Sequence, residues 1–220
     1  GHALVALLSE HSDPVHKVTI IPRGMALGVT QTFPVEDRFS LTREQMLAMI
    51  KHAMGGRAAE EMVFEHLSTG AANDLRQATQ LAREMVCKYG MSEAIGPVSY
   101  DEEGTEVFLG RDFATHKNFS EKTAEEIDAA VSGMLNELYE AARQILHENR
   151  EILDRIADAL LERETLEGAD LELIRAGKAL PPLPSPIVSP PEEATPAEAT
   201  TRSEDVSGGG KLPDPEPIPS

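Results

Sequence analysis

Apolar residues recur at helical spacing along most of the chain. Thr42 and Gln45 have the spacing of a capping box, and Leu41 and Met46 that of a hydrophobic staple. The helix they predict carries Met46, Met49, Ile50, Ala53 and Met54 on one face. Gly55-Gly56 falls inside it. Glycine costs about 1 kcal/mol against alanine within a helix, so this one either kinks or packs very closely there. A second helix is predicted from about Ala72 to Tyr89, with Leu75, Ala78, Thr79, Ala82, Met85, Val86 and Tyr89 as its stripe and Gly90 just past its end. Ser120 caps a third, with Ile127, Val131, Met134, Leu135, Leu138, Ala142, Ile145 and Leu146. After Asn149 a shorter one carries Ile152, Leu153, Ile156, Leu160 and Leu161. The last two are expected to form an antiparallel hairpin against the rest. Strand signals are confined to 16–21, before Pro22, and 27–30, enough for a small sheet or hairpin. The segment 96–109 reads as a loop-rich connection. The predicted fold class is mainly α with a small β element.

This pattern stops near residue 178. From Ala179 to Ser220 lie 11 of the 15 prolines, among Ser, Thr, Glu and Gly, with no periodicity. Such a segment cannot bury enough surface to offset the entropy of ordering its backbone, so 179–220 is predicted to be a disordered acidic tail after a folded domain at 1–178. Ser207-Gly208-Gly209-Gly210-Lys211 lacks the spacing of a phosphate-binding loop. At the other end, residue 1 is Gly and an apolar run begins at once without a capping residue. That reads as a chain cut inside an element, or else as a processed or tagged terminus.

Charge narrows the functional classes. With 20 Lys and Arg against 38 Asp and Glu the formal net charge is −18. Nucleic-acid affinity comes largely from neutralising phosphates with basic side chains, so a nucleic-acid partner is excluded. An anionic membrane surface repels the chain for the same reason. One cysteine, Cys87, makes no internal disulfide and fits a reducing compartment. The longest apolar run, Ala3 to Leu8, is far short of the roughly 20 residues of a membrane span.

Spacing alone identifies no catalytic centre. The seven histidines include no His-x-x-x-His pair. Asp74 has an ordinary explanation in the first turn of its helix, where the dipole favours a carboxylate. Glu60-Glu61 reads as a solvated face. Ser9, Ser68 and Cys87 have no His and Asp partners at recognisable spacing.

An ordered set of segments is more specific. Gly1-His2-Ala3-Leu4-Val5, Lys17 to Gly24, Ala26-Leu27-Gly28, Gly55 to Glu61 and Thr69 to Leu75 follow one another in the chain. Tyr89 to Ser92, Gly96-Pro97-Val98, Phe108 to Arg111 and Glu148 to Leu166 continue the series. Together, over about residues 1–177, they closely resemble the peptidase domain of the FtsH-type, membrane-anchored, ATP-dependent zinc metalloproteases.

The resemblance implies a zinc site. In that family zinc is held by both histidines of an H-E-A-G-H helix and by a distant Asp in an Asn-Asp dipeptide. Gly1-His2 matches the end of the first motif and Asn73-Asp74 the second, making His2 and Asp74 metal ligands. One acid of the Glu60-Glu61 pair is expected to orient a ligand, as carboxylates often do for metal-bound histidine. The first His and the general-base Glu match nothing between Gly1 and Ser220, so no catalytic residue is assigned within the chain. These residues by themselves are expected to bind zinc poorly and to have little peptidase activity. The resemblance also implies a homohexameric ring, an AAA+ module that uses ATP, unfolded protein substrates, and a position on the cytoplasmic side of the inner membrane. It further implies an edge strand that aligns substrate near the zinc, for which 27–30 is the candidate. Two rival readings stand beside the protease: a helical ring-assembly module without chemistry, and an acidic helical adaptor.

Overall fold

A computed structural model describes residues 1–22, 28–34, 38–100 and 119–183. Phe108 to Arg111, most of the expected 96–109 connection and the tail from 184 onward lie outside the described residues. The elements run α1 (His2–Leu8), β1 (Val15–Thr19), β2 (Val29–Thr32), α2 (Arg43–Phe64), α3 (Ala72–Cys87), α4 (Glu121–Glu148), α5 (Arg150–Arg163), β3 (Thr165–Glu167) and α6 (Gly168–Arg175). The mainly helical class with a small β element is borne out.

The helix starts follow their caps. Thr42 Oγ1 accepts from the Gln45 N–H and the Gln45 side chain accepts from the Thr42 N–H, a complete capping box. Ser120 accepts from the Thr123 N–H at the start of α4. Gly90 follows α3 in the left-handed conformation, φ +59°. Any side chain there would also press on Pro97, so Gly fits this stop for two reasons.

The sheet is antiparallel, in the order β2-β1-β3. Val18 pairs with Thr30 on one side and Leu166 on the other. β1 stops at Thr19, and Ile20 and Ile21 are exposed beyond it. β2 includes Val29 and Thr30 of the predicted 27–30 and runs on to Thr32, while Leu27 lies outside the described residues. The third strand was not foreseen, because three residues between two helices are too few to show an alternation. Glu164, in the left-handed region at φ 60°, ends α5 and turns the chain into β3. Its carbonyl accepts from the Ile20 N–H at 3.0 Å and from Thr19 Oγ1 at 3.0 Å.

One core joins these layers. Leu4 and Val5 of α1, Ile50 of α2, Met85 and Val86 of α3, Leu146 of α4, Leu166 of β3 and Leu171 of α6 are fully buried. The expected α4–α5 hairpin takes a different form. α4 packs on α2 and α3, while α5 packs on α6 and β3. Asn149 is at once the C-cap of one and the N-cap of the other, so the helices diverge to separate partners. The compact unit runs from Gly1 to Leu183. Leu180 packs against the core, and Arg163 donates to the Pro181 carbonyl at 2.5 Å.

Candidate metal centre

Helix α2 passes unbroken through Gly55-Gly56, and close packing is the reason for the pair. A Cβ on Gly55 would lie 3.0 Å from both the Gly1 carbonyl oxygen and Val5 Cγ2. A Cβ on Gly56 would overlap the His2 ring at Nε2. The glycines therefore let α1 lie against α2 nearly backbone to backbone, and they make room for one imidazole.

That imidazole is fixed at both nitrogens. His2 Nδ1 lies 2.9 Å from the His52 carbonyl oxygen. A carbonyl only accepts, so Nδ1 carries a proton and Nε2 is the nitrogen left to face the carboxylate. Nε2 lies 3.3 Å from Asp74 Oδ2. A lone pair and a carboxylate oxygen at that distance attract only through a proton or a cation between them. Nitrogen and oxygen donors of this kind suit zinc. The structure thus brings His2 and Asp74 together across 72 positions of sequence, each about one-third exposed. Among the described residues no third His, Cys, Asp or Glu joins them to form a metal-binding group.

Glu60 and Glu61 are engaged elsewhere. Ser68 bonds the Glu60 carboxylate and lowers its pKa below the ordinary range. Glu61 accepts the Tyr139 hydroxyl of α4. Burial, together with this bond, pushes the Tyr139 hydroxyl up to about 12. The partner of His2 Nδ1 is a backbone carbonyl rather than either carboxylate.

The amino acids match the model of peptidase family M41 from residue 1 to residue 174. The chain belongs to that family. Similar proteins include the ATP-dependent zinc metalloprotease FtsH of Acidobacterium capsulatum, 44% identical over 220 residues, which cover all of this chain and 34% of that protein. The protein of the same name from Myxococcus xanthus is 50% identical over 89% of this chain and 31% of its own length. ATP-dependent zinc metalloprotease FtsH 4 of Sorangium cellulosum is 54% identical over 82% and 28%. The chain spans about a third of the length of the curated relatives it matches.

Within this M41 domain the pair opens on a cavity of about 980 Å³, lined by His2, His52 and Asp74 together with Gly28, Val29 and Thr30 of the β2 segment. Among the described residues β2 pairs only with β1, and its other edge has no strand partner there. His52 was missed by sequence reasoning. Its ring stacks on His2 with centroids 5.4 Å apart, and burial, aided by the charge of His2, lowers its pKa to about 4. The sequence held one signal for it. Met49, His52, Ala53 and Gly56 follow i, i+3, i+4, i+7 spacing, a second stripe beside the core stripe. Met49 and Ala53, which share one predicted face with Met46, Ile50 and Met54, also line this cavity; Ala53 packs against the core as well, while Met49 is 46% exposed.

Proposed function

We propose that this chain is the zinc-dependent endopeptidase domain of a membrane-anchored, ATP-dependent protease that degrades unfolded or misassembled proteins. The observation that supports it best is the His2–Asp74 pair, with Nδ1 held by a carbonyl and Nε2 aimed at a carboxylate. Neutral imidazole and ionised carboxylate are the forms that ligate zinc, and an orienting partner on the second ring nitrogen is the usual support. His2 and Asp74 serve as two ligands. The remaining His and the general-base Glu of the family match no residue between Gly1 and Ser220. Bound zinc supplies a water of lowered pKa and polarises the scissile carbonyl.

The chain's own residues do the positioning. The His52 carbonyl holds the proton on Nδ1 and so keeps Nε2 available. Gly56 gives the ring its place. The free edge of β2 receives an extended substrate by strand addition, with main-chain hydrogen bonds supplying affinity and alternate side chains facing the site. The AAA+ module that uses ATP, the homohexamer and the position at the cytoplasmic face of the inner membrane are family properties included in the proposal. Among the described residues no helix is long and apolar enough to cross a membrane.

The test is elemental analysis and casein hydrolysis on the intact protein. One zinc per chain is expected, with zinc and hydrolysis both lost in His2→Ala and in Asp74→Ala. Retention of both in Asp74→Ala rejects the site. A zinc-free protein that still assembles supports the ring module without chemistry.

A further inference from the structure

His52 has a side chain that the His2–Asp74 pair leaves unused. It stands one turn before Gly56 on α2, so its ring and the bare backbone at Gly56 border the same imidazole. Its carbonyl accepts from His2 Nδ1 at 2.9 Å, and its ring stacks on the His2 ring with centroids 5.4 Å and planes 27° apart. One residue thus grips the ligand through backbone and side chain together, which fixes the His52 ring relative to His2. That ring is half-buried and lines the cavity it shares with His2, Asp74 and the β2 segment. Among the described residues neither of its nitrogens has a hydrogen-bond partner. Polar groups withdrawn from water normally find partners, so this imidazole is open to a polar group that enters the cleft.

We propose that His52 is a catalytic residue, donating an N–H to the carbonyl oxygen of the peptide bond that is cut. The proposal rests on reading the His2–Asp74 pair as the metal end of the site. A peptide added to the β2 edge turns its second edge of N–H and C=O groups away from β2, toward the cavity wall that carries His52. Asn73 and Gln77 also line the cavity, but among the described residues His52 is the one stacked on His2. As water adds to the carbonyl, its carbon becomes tetrahedral and negative charge gathers on its oxygen. A donor already in place stabilises that charge more than it stabilises the starting carbonyl. His52 neither loses nor gains a proton in this step. Neutral imidazole carries an N–H on one nitrogen and imidazolium on both, so the role does not depend on the charge of the ring.

The experiment uses the intact zinc-loaded protein and an unstructured peptide with a single cleavage site. His52→Phe keeps a ring to stack on His2 and removes the donor, while His52→Gln keeps a donor. Both retain the backbone carbonyl that holds His2 Nδ1. His52→Phe is expected to keep one zinc per chain by elemental analysis. Its kcat should fall about 10²–10³-fold with KM within about threefold of wild type. His52→Gln should recover at least about tenfold of that loss. Calorimetry gives a readout apart from turnover. A phosphinic peptide, whose tetrahedral centre carries a charged oxygen, should bind His52→Phe at least about tenfold more weakly than wild type, and a product peptide equally well. A kcat for His52→Phe within about threefold of wild type overturns the proposal. Loss of zinc from His52→Phe overturns it too, because the ring then only supports the ligand. Failure of the metal reading looks different and takes this proposal with it: wild type carries no zinc, and Asp74→Ala cleaves as fast as wild type.

Discussion

Helix α2 packs against two neighbours in opposite ways. Toward α1 it offers Gly55 and Gly56, and the helices meet with almost no side chains between them. Toward α4 it offers side chains, among them Glu61 bonded to the Tyr139 hydroxyl. The first contact places an imidazole nitrogen 3.3 Å from a carboxylate oxygen. The second joins two long helices and can relax by changing rotamers. Positional accuracy at this site is obtained by removing side chains, because a bare backbone leaves no soft degree of freedom to absorb an error.

The contrast can be broken from either side. The largest stability change is expected on the α4 side. Leu146→Ala empties a fully buried position and should cost about 2–5 kcal/mol in urea unfolding. The His2–Asp74 pair should survive it, so zinc affinity measured below the transition should stay within a few-fold. Gly56→Ala should reverse that profile. Overpacking costs about 1–3 kcal/mol, yet the added methyl collides with His2 Nε2 itself. Zinc affinity should then fall by more than the stability change explains, as read by competition with a chelator. Equal zinc affinity in Gly56→Ala and wild type would show that the glycine contact does not position the ligand.

Smaller effects sharpen the picture. Thr42→Ala removes one half of the capping box at the far end of α2 and should cost about 1 kcal/mol, with zinc affinity unchanged. Tyr139 gives the finest test. Its hydroxyl pKa is raised from 10.0 to about 12, so the folded state holds that proton more tightly than the unfolded chain. The associated stability is complete below pH 10 and is lost as pH rises from 10 toward 12. An ultraviolet titration should show one late-ionising tyrosine, absent in Tyr139→Phe. A wild-type titration in which all three tyrosines ionise together would remove the Glu61 bond from the account.

Much of the fold was legible because its determinants are local. Thr42 with Gln45, Ser120 and Gly90 act within a turn of themselves, and all three do what their spacing predicts. β3 was not legible, since three residues carry no period and its pairing partner β1 lies about 150 positions away. The divergence of α4 and α5 was hidden for a related reason: both stripes are apolar, and a stripe does not name its partner. His2 and Asp74 became candidates only through the resemblance of whole segments to a family. Met49 and Ala53 share the helical period with the core and also border the site cavity. A continuous period blurs into a wide face whenever one helix borders both a core and a cleft.

The sequence by itself determined where helices begin and end, which residues are available to a core, and that the chain is strongly acidic. These are properties of neighbours along the chain and of summed charge. Only the tertiary structure decided that Gly55-Gly56 is a contact rather than a kink, that the His52 carbonyl sets the tautomer of His2, and that the Glu60-Glu61 pair bonds to Ser68 and Tyr139. Each of those depends on which atom of a distant element occupies a given few ångströms. Local spacing does not encode that choice, because it follows from how the helices pack around one shared core.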